Sequence, residues 1–590
     1  MIAKTVWIVF PLGIILCIQT WLLNLHYPFI GTDMEYYLTR LIDVFLHMKI
    51  NGVFSVQWWT PTFGGGIPSF PNPLHLQFSI TPYLMFLFSP WIATQITYAI
   101  FAVIGYFLIY NYIQNYTEWG LHVAISTACI FTTNGYFLNH ILVGHLNYCS
   151  FTMIAVIPYI ISSFWSAKKC IIVLSLCVTY MIYSAGFPTV FLFYLSLGQL
   201  FFLLPLLKRE SFPFIKLFRV LTIGHILIIG MVCSKFIAVT LHMEQFPRVV
   251  EFFSWQPYLQ VLIISTFAQL FSWRIMIPFE SILPIPADSV LFWLIGSKYE
   301  FWENDVSLSP VVPALIFFFV ITRFSQIKSF LKNPTCRLGF IATLLIIWCS
   351  IEMAMGKGFF WTLIKDFPII KSTHVNVRYA GALVLVFSIL FAFCYSKLLV
   401  HRSKGFKVWC TIFILSITFL SMSSYSKITY SKTAYHCYDA SISSSTWSEI
   451  LSENKSYKLS EIIEISPKDQ IGLFSQGASS FNPNDCLYGY HGEFFQSSLS
   501  KGPVNEVDVD GFYNFHNPLT FYNPKTTALP REKIHSSDSK NFYLFINRKQ
   551  PNWELPFVQK VANYITSAFL LLVFLYIFYN FLKRFKFTNS

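Results

Sequence analysis

Asp33-Met34-Glu35 places two carboxylates just past an apolar run at residues 5–25, and an acidic pair at such a boundary can do chemistry. In an extended segment, residues two apart point to one side, so both carboxylates could hold Mg2+ or Mn2+. These hard ions take oxygen ligands and are often completed by substrate phosphates. A carboxylate here could instead take a proton from a hydroxyl as general base. The plainer alternative is a pair of solvated acids that end one helix or cap the next at Tyr36.

Four other groups carry chemical potential. His140 and His145, five residues apart, do not share a helix face, yet the pair could ligate a metal or each could bond a phosphate or sugar, and Gly144 before His145 suggests a turn. Otherwise each is a polar anchor at the membrane boundary. Arg378 opens an apolar run, where a charge is costly unless it is paired or faces a cavity, and its planar fork matches phosphate. Snorkelling towards the headgroups is the alternative for it. Arg248 and Arg274, with the acid Glu244, are further candidates in a polar stretch. Trp58 and Trp59 open WWTPTFGGGIPSFPNP, whose glycines permit close approach and whose aromatic faces suit a sugar ring or lipid head. An interfacial anchor with a structural turn would look the same.

The elements that must position these residues are membrane helices. The 590-residue chain is 55% hydrophobic and 12% charged, with a mean hydropathy of +0.55. Soluble domains carry about 25% charged residues, so a polytopic membrane protein is expected. Apolar stretches suggest spans near 5–25, 93–113, 120–137, 150–166, 170–186, 189–207, 219–240, 309–324, 338–356, 375–398, 408–424 and 558–582. The first run lacks an A-x-A-like cleavage site and reads as a retained helix. With twelve crossings, Lys168, Lys169, Lys208, Lys216, Arg219, Arg323, Arg402, Lys407, Lys583 and other basic residues fall on one side, while Arg40, Lys49, Lys357, Lys365 and Lys371 fall on the other. The positive-inside rule makes the first side the cytoplasm, with both termini there. The net charge of +13 is then an orientation signal, and no nucleic-acid partner is implied.

The expected architecture is thus an all-α membrane domain over 1–424 with external loops at 26–92, 138–149 and 241–308. A polar extracytoplasmic segment follows at 425–557, where short apolar pieces suggest a small β-rich domain, and a last helix with a short cytoplasmic tail fills 558–590. Cys437 and Cys486 alone fall in polar sequence and could pair in an oxidising compartment. No G-x-S-x-G, H-E-x-x-H, P-loop or Cys/His metal spacing occurs.

An acidic motif in the first external loop of a many-helix protein resembles the GT-C superfamily of polytopic glycosyltransferases. Asp33 and Glu35 match that motif. More narrowly, Gly31-Thr32-Asp33, Trp59-Thr60-Pro61-Thr62-Phe63-Gly64-Gly65-Gly66-Ile67-Pro68, Gly144-His145 and Arg378-Tyr379 are similar to stretches of bacterial YfhO-type membrane proteins. The resemblance covers about residues 1–400 and does not extend to 425–557. It implies transfer of a sugar from a polyprenyl-phosphate donor to a glycan, lipid or protein acceptor, outside a bacterial cytoplasmic membrane. Asp33 would be the base, Glu35 would place a divalent ion or the acceptor, and Arg378 with Arg248 would hold the lipid phosphate. His140, His145, Trp58 and Trp59 remain substrate-binding candidates. A flippase or transporter of a lipid-linked glycan, or a membrane scaffold, are the rival classes; a transporter needs a polar path, and the expected spans are poor in charge.

Overall fold

A computed structural model describes residues 2–31, 33–60, 67–208, 210–245, 305–356, 358–366, 376–425, 438–452, 547–549 and 555–588. Isolated positions at 370, 463–464, 502–503, 512–513, 533–534 and 544 are also described. The chain is all-α at its centre. Long apolar runs, with no water to satisfy their backbone, must close their hydrogen bonds internally as helices. In chain order these are α1 (Ile2–Asn24), α2 (Met34–Asn51), α3 (Ile80–Leu84), α4 (Pro90–Tyr116), α5 (Leu121–Thr132), α6 (Gly135–Val143) and α7 (Ile157–Ile161). There follow α8 (Ala167–Tyr183), α9 (Phe187–Lys208), α10 (Phe214–Gln245), α11 (Val311–Thr322), α12 (Pro334–Met355), α13 (Ala382–Leu399), α14 (Lys404–Ser423), α15 (Ala440–Ser452) and α16 (Phe557–Thr588). Short helices at Phe324–Phe330 and Phe359–Ile364, and 3-10 turns at Leu146–Val156 and Asn376–Gly381, complete the helices among the described residues.

Among the described residues, eight helices are long and apolar enough to cross a membrane: 5–24, 90–116, 187–208, 214–241, 334–355, 378–399, 404–423 and 557–583. Each coincides with an expected span. The other four expected spans fold as shorter pieces, for local reasons. Near 120–137 the helix breaks after Thr132, where Asn134 turns extended and accepts a hydrogen bond from the Phe137 amide at 2.8 Å to start α6. Near 150–166 a 3-10 stretch leads into the five-residue α7. α8 reaches 17 residues and α11 only 12.

These short pieces fill the middle of the bundle. α5, α6 and the 3-10 turn at Leu146–Val156 are almost wholly buried, packed against α4, α9 and α13. The span containing α13 is the most enclosed of the eight, whereas α16 touches the rest mainly along α10 and leaves most of its apolar surface outward, as a lipid-facing helix does.

Strands are few among the described residues. β1 (Phe29–Ile30) pairs antiparallel with β4 (Tyr438–Asp439), and β2 (Trp59–Thr60) with β3 (Ile67–Pro68) as a hairpin. Within 425–557 the described elements include β4, α15 and two further two-residue pairings, at 463–464 with 502–503 and at 512–513 with 533–534. The expected β-rich domain falls mostly outside the described residues, as do Cys437 and Cys486.

Candidate functional site

Asp33 forms the N-cap of α2 in backbone terms, but its side chain makes no capping hydrogen bond. The carboxylate is instead paired with His145, Oδ2 accepting from Nε2. A glycine turn makes the contact. α6 ends at Gly144, which adopts φ +113°, and the amides of Gly144 and His145 both return to the His140 carbonyl, at 3.2 and 2.7 Å. This is a left-handed helix cap. A Cβ on Gly144 would fall on the Met34 backbone nitrogen, and one on Gly31 on the Leu142 carbonyl oxygen. The two loops therefore meet backbone to backbone, sealed by the Asp33 amide donating to the Val143 carbonyl at 3.0 Å.

The same turn brings the two histidines together. Although five residues apart, their rings lie 5.1 Å from centroid to centroid, and each contacts Tyr148, at 4.3 Å for His140 and 5.8 Å for His145. His140 Nδ1 donates to the Tyr136 carbonyl at 2.7 Å, since a carbonyl can only accept. Tyr148 continues the cluster to Arg378, whose guanidinium lies 5.4 Å over its ring and donates to its hydroxyl at 3.2 Å. Tyr37, one turn into α2, donates to Asn147 at 2.8 Å and flanks His145. A carboxylate, two imidazoles, a phenol and a guanidinium thus form one connected set. Tyr148 and Tyr37 went unsignalled in the sequence, being two tyrosines among 32.

The wall behind α6 is pinned by Asp305, which is fully buried. It accepts from Asn139 Nδ2 at 2.5 Å, from the Ser307 amide at 2.7 Å and from the Tyr425 hydroxyl. The carboxylate thus clamps three segments: its own stretch at 305–307, α6 and the residue Tyr425 after α14.

The other sequence candidates fall elsewhere. Trp58 is buried against Phe70, at 4.9 Å. Trp59 lies in β2, and its side chain is outside the described residues, as are those of Glu35 and Glu244. Arg248 and Arg274 also lie outside them. Asp33 is then the described half of the expected ion pair of ligands, with Oδ2 committed to His145 and Oδ1 open. Among the described residues, no three His, Cys, Asp or Glu side chains are grouped to hold a metal ion.

A second polar cluster, unforeseen in the sequence, lies further along α2. Asp43 is 1% exposed and accepts from Gln57 at 2.8 Å, Thr60 at 2.6 Å and Arg548 at 3.4 Å. Lys235 of α10 donates to the carbonyls of Phe70 and Asn72, at 2.6 and 2.8 Å, tying the base of the β2–β3 hairpin to the bundle. His75 bonds Gln57 at 3.2 Å. Burial pushes the His75 imidazole well below the ordinary histidine range, and the nearby Lys235, Arg40 and His47 charges push the same way. His47 is lowered too, by burial first, against the opposing effects of the Ser55 carbonyl and Asp43.

The chain finds no match among protein-family models, curated proteins or solved structures.

Proposed function

We propose that the chain is a membrane glycosyltransferase that moves a sugar from a polyprenyl-phosphate donor to a glycan, lipid or protein acceptor on the extracytoplasmic face. The observation carrying this reading is the connection of Asp33 to Arg378 through His145, His140 and Tyr148. Glycosyl transfer needs a base for the incoming hydroxyl and a cation for the departing phosphate. The acceptor oxygen bonds to the anomeric carbon as the bond from that carbon to the phosphate oxygen breaks. The hydroxyl proton passes to Asp33, and the phosphate leaves with its electron pair beside Arg378. Asp33 and Glu35 would be the residues to hold a divalent ion, Mg2+ or Mn2+, which would neutralise phosphate charge. The steps above do not run through it.

A twelve-crossing topology in a bacterial cytoplasmic membrane, with both termini cytoplasmic, fits this reading. Its support is a separation of ends. Asp33 meets His145 at one end of the bundle. At the other, Lys216 donates to the Ser162 carbonyl, Lys208 lies 4.6 Å over Phe164 and Lys169 3.8 Å over Trp165. The stretches 121–143, 146–161 and 167–183 then run between a lysine-rich end and the Asp33 end, as the positive-inside rule asks.

The test is transfer of labelled sugar from a polyprenyl-phosphate pool in membranes, comparing wild type with Asp33→Asn at equal expression. We expect a loss of at least about a hundredfold, with the variant still folded by size-exclusion profile. Undiminished transfer by Asp33→Asn would falsify the assignment. Movement of a lipid-linked glycan without transfer would favour a flippase.

A further inference from the structure

Resting on the transferase reading, we infer that His145 is a positioning residue for Asp33, not a ligand of the substrate. Its side chain is 6% exposed while that of Asp33 is 33% exposed, so the imidazole lies behind the carboxylate as seen from solvent. Neither ring nitrogen is offered outward. Nε2 is committed to Asp33 Oδ2, and Nδ1 is buried with no hydrogen-bond partner among the described residues. A carboxylate can only accept, so the Nε2–H is the donor of this contact. The ring is also hemmed in, with His140 at 5.1 Å, Tyr148 at 5.8 Å and Tyr37 at 6.5 Å. His145 therefore fixes Oδ2 and the torsion of the carboxyl group, leaving Oδ1 as the oxygen that takes the acceptor proton. Alignment of this kind affects the chemical step more than binding.

The discriminating experiment labels Asp33 in the full-length protein with a hydrophobic carbodiimide and follows the Asp33 peptide by mass spectrometry. Wild type, His145→Ala and His145→Gln are compared, glutamine keeping an N–H donor near the Nε2 position. We expect His145→Ala to label at least about fivefold faster, because Oδ2 is uncovered, and His145→Gln to stay within about twofold of wild type. In the sugar-transfer assay, His145→Ala should lower kcat by about tenfold or more with KM values little changed, and His145→Gln should restore most of it. Equal labelling in all three proteins overturns the pairing. A raised KM with kcat kept restores His145 to the substrate, and a glutamine variant as inactive as alanine demands imidazole chemistry; either result overturns the inference. Should wild type transfer no sugar while labelling follows the expected order, the transferase reading falls and the pairing stands.

Discussion

At the scale of single residues, this protein places unlike charges under unlike constraints. Asp33 is partly open and held from one side, whereas Asp43 and Asp305 are enclosed and saturated with donors. Only the first has an oxygen to offer. His75 illustrates what enclosure does to stability. Burial favours its neutral form in the folded protein, and its second nitrogen Nδ1 has no partner among the described residues. The unfolded chain binds a proton below about pH 6.5, while the folded one resists until much lower pH. The contribution of this group to stability is therefore full above that value and falls on acidification. Thermal unfolding of the purified protein should drop between pH 7.5 and pH 5, and His75→Gln should flatten the drop; an unchanged slope would refute the assignment. Asp33, His140, His145 and Arg378, which the structure brings together, could be picked out as candidates because acids, imidazoles and guanidinium groups stand out in an apolar chain. Asp43, Lys235 and Arg548 were not flagged as a set, since their meeting depends on segments up to 505 positions apart.

At the scale of elements, helix ends decide the arrangement. The eight long spans were legible because twenty apolar residues have one outcome in lipid. The short ones were not resolved as short, because hydropathy runs on through Thr133 and Asn134 while the backbone does not. The two histidines were read as too far apart for one helix face, which is correct for a helix and wrong for a helix that stops between them. Gly144 is that stop, and it is also the contact point of α6 with α2. Gly144→Ala would place a side chain at φ +113° and against Met34, costing about 1–3 kcal/mol from the backbone alone. The expected outcome is a lowered unfolding temperature and sugar transfer reduced beyond about tenfold at a temperature where the variant is still folded. A variant as active as wild type would show that the α6 turn does not set the Asp33–His145 geometry.

At the scale of the whole molecule, the stretch from Leu146 to Ile161 leads from the acid–imidazole pair to the aromatic-braced lysines. Fusions test the orientation that follows. A fluorescent reporter after Ser590 should shine and a periplasm-dependent phosphatase inserted after Ser452 should be active; the opposite pattern would invert the topology and put Asp33 in the cytoplasm. The segment after α14 is also fastened at two places to the same helix. β4 pairs with β1 just before Asp33, with the Ala440 amide on the Pro28 carbonyl at 2.8 Å, and Trp447 of α15 rests on Phe45 of α2 at 4.5 Å. Beyond it, the Arg548 carbonyl accepts from Asn51 at 2.6 Å while its guanidinium meets Asp43. Chain continuity between those two fastenings is thus dispensable for holding the particle together. A protease that nicks the backbone between Ser452 and Asn547 leaves two fragments gripping one helix, and they should migrate as a single species until a denaturant parts them.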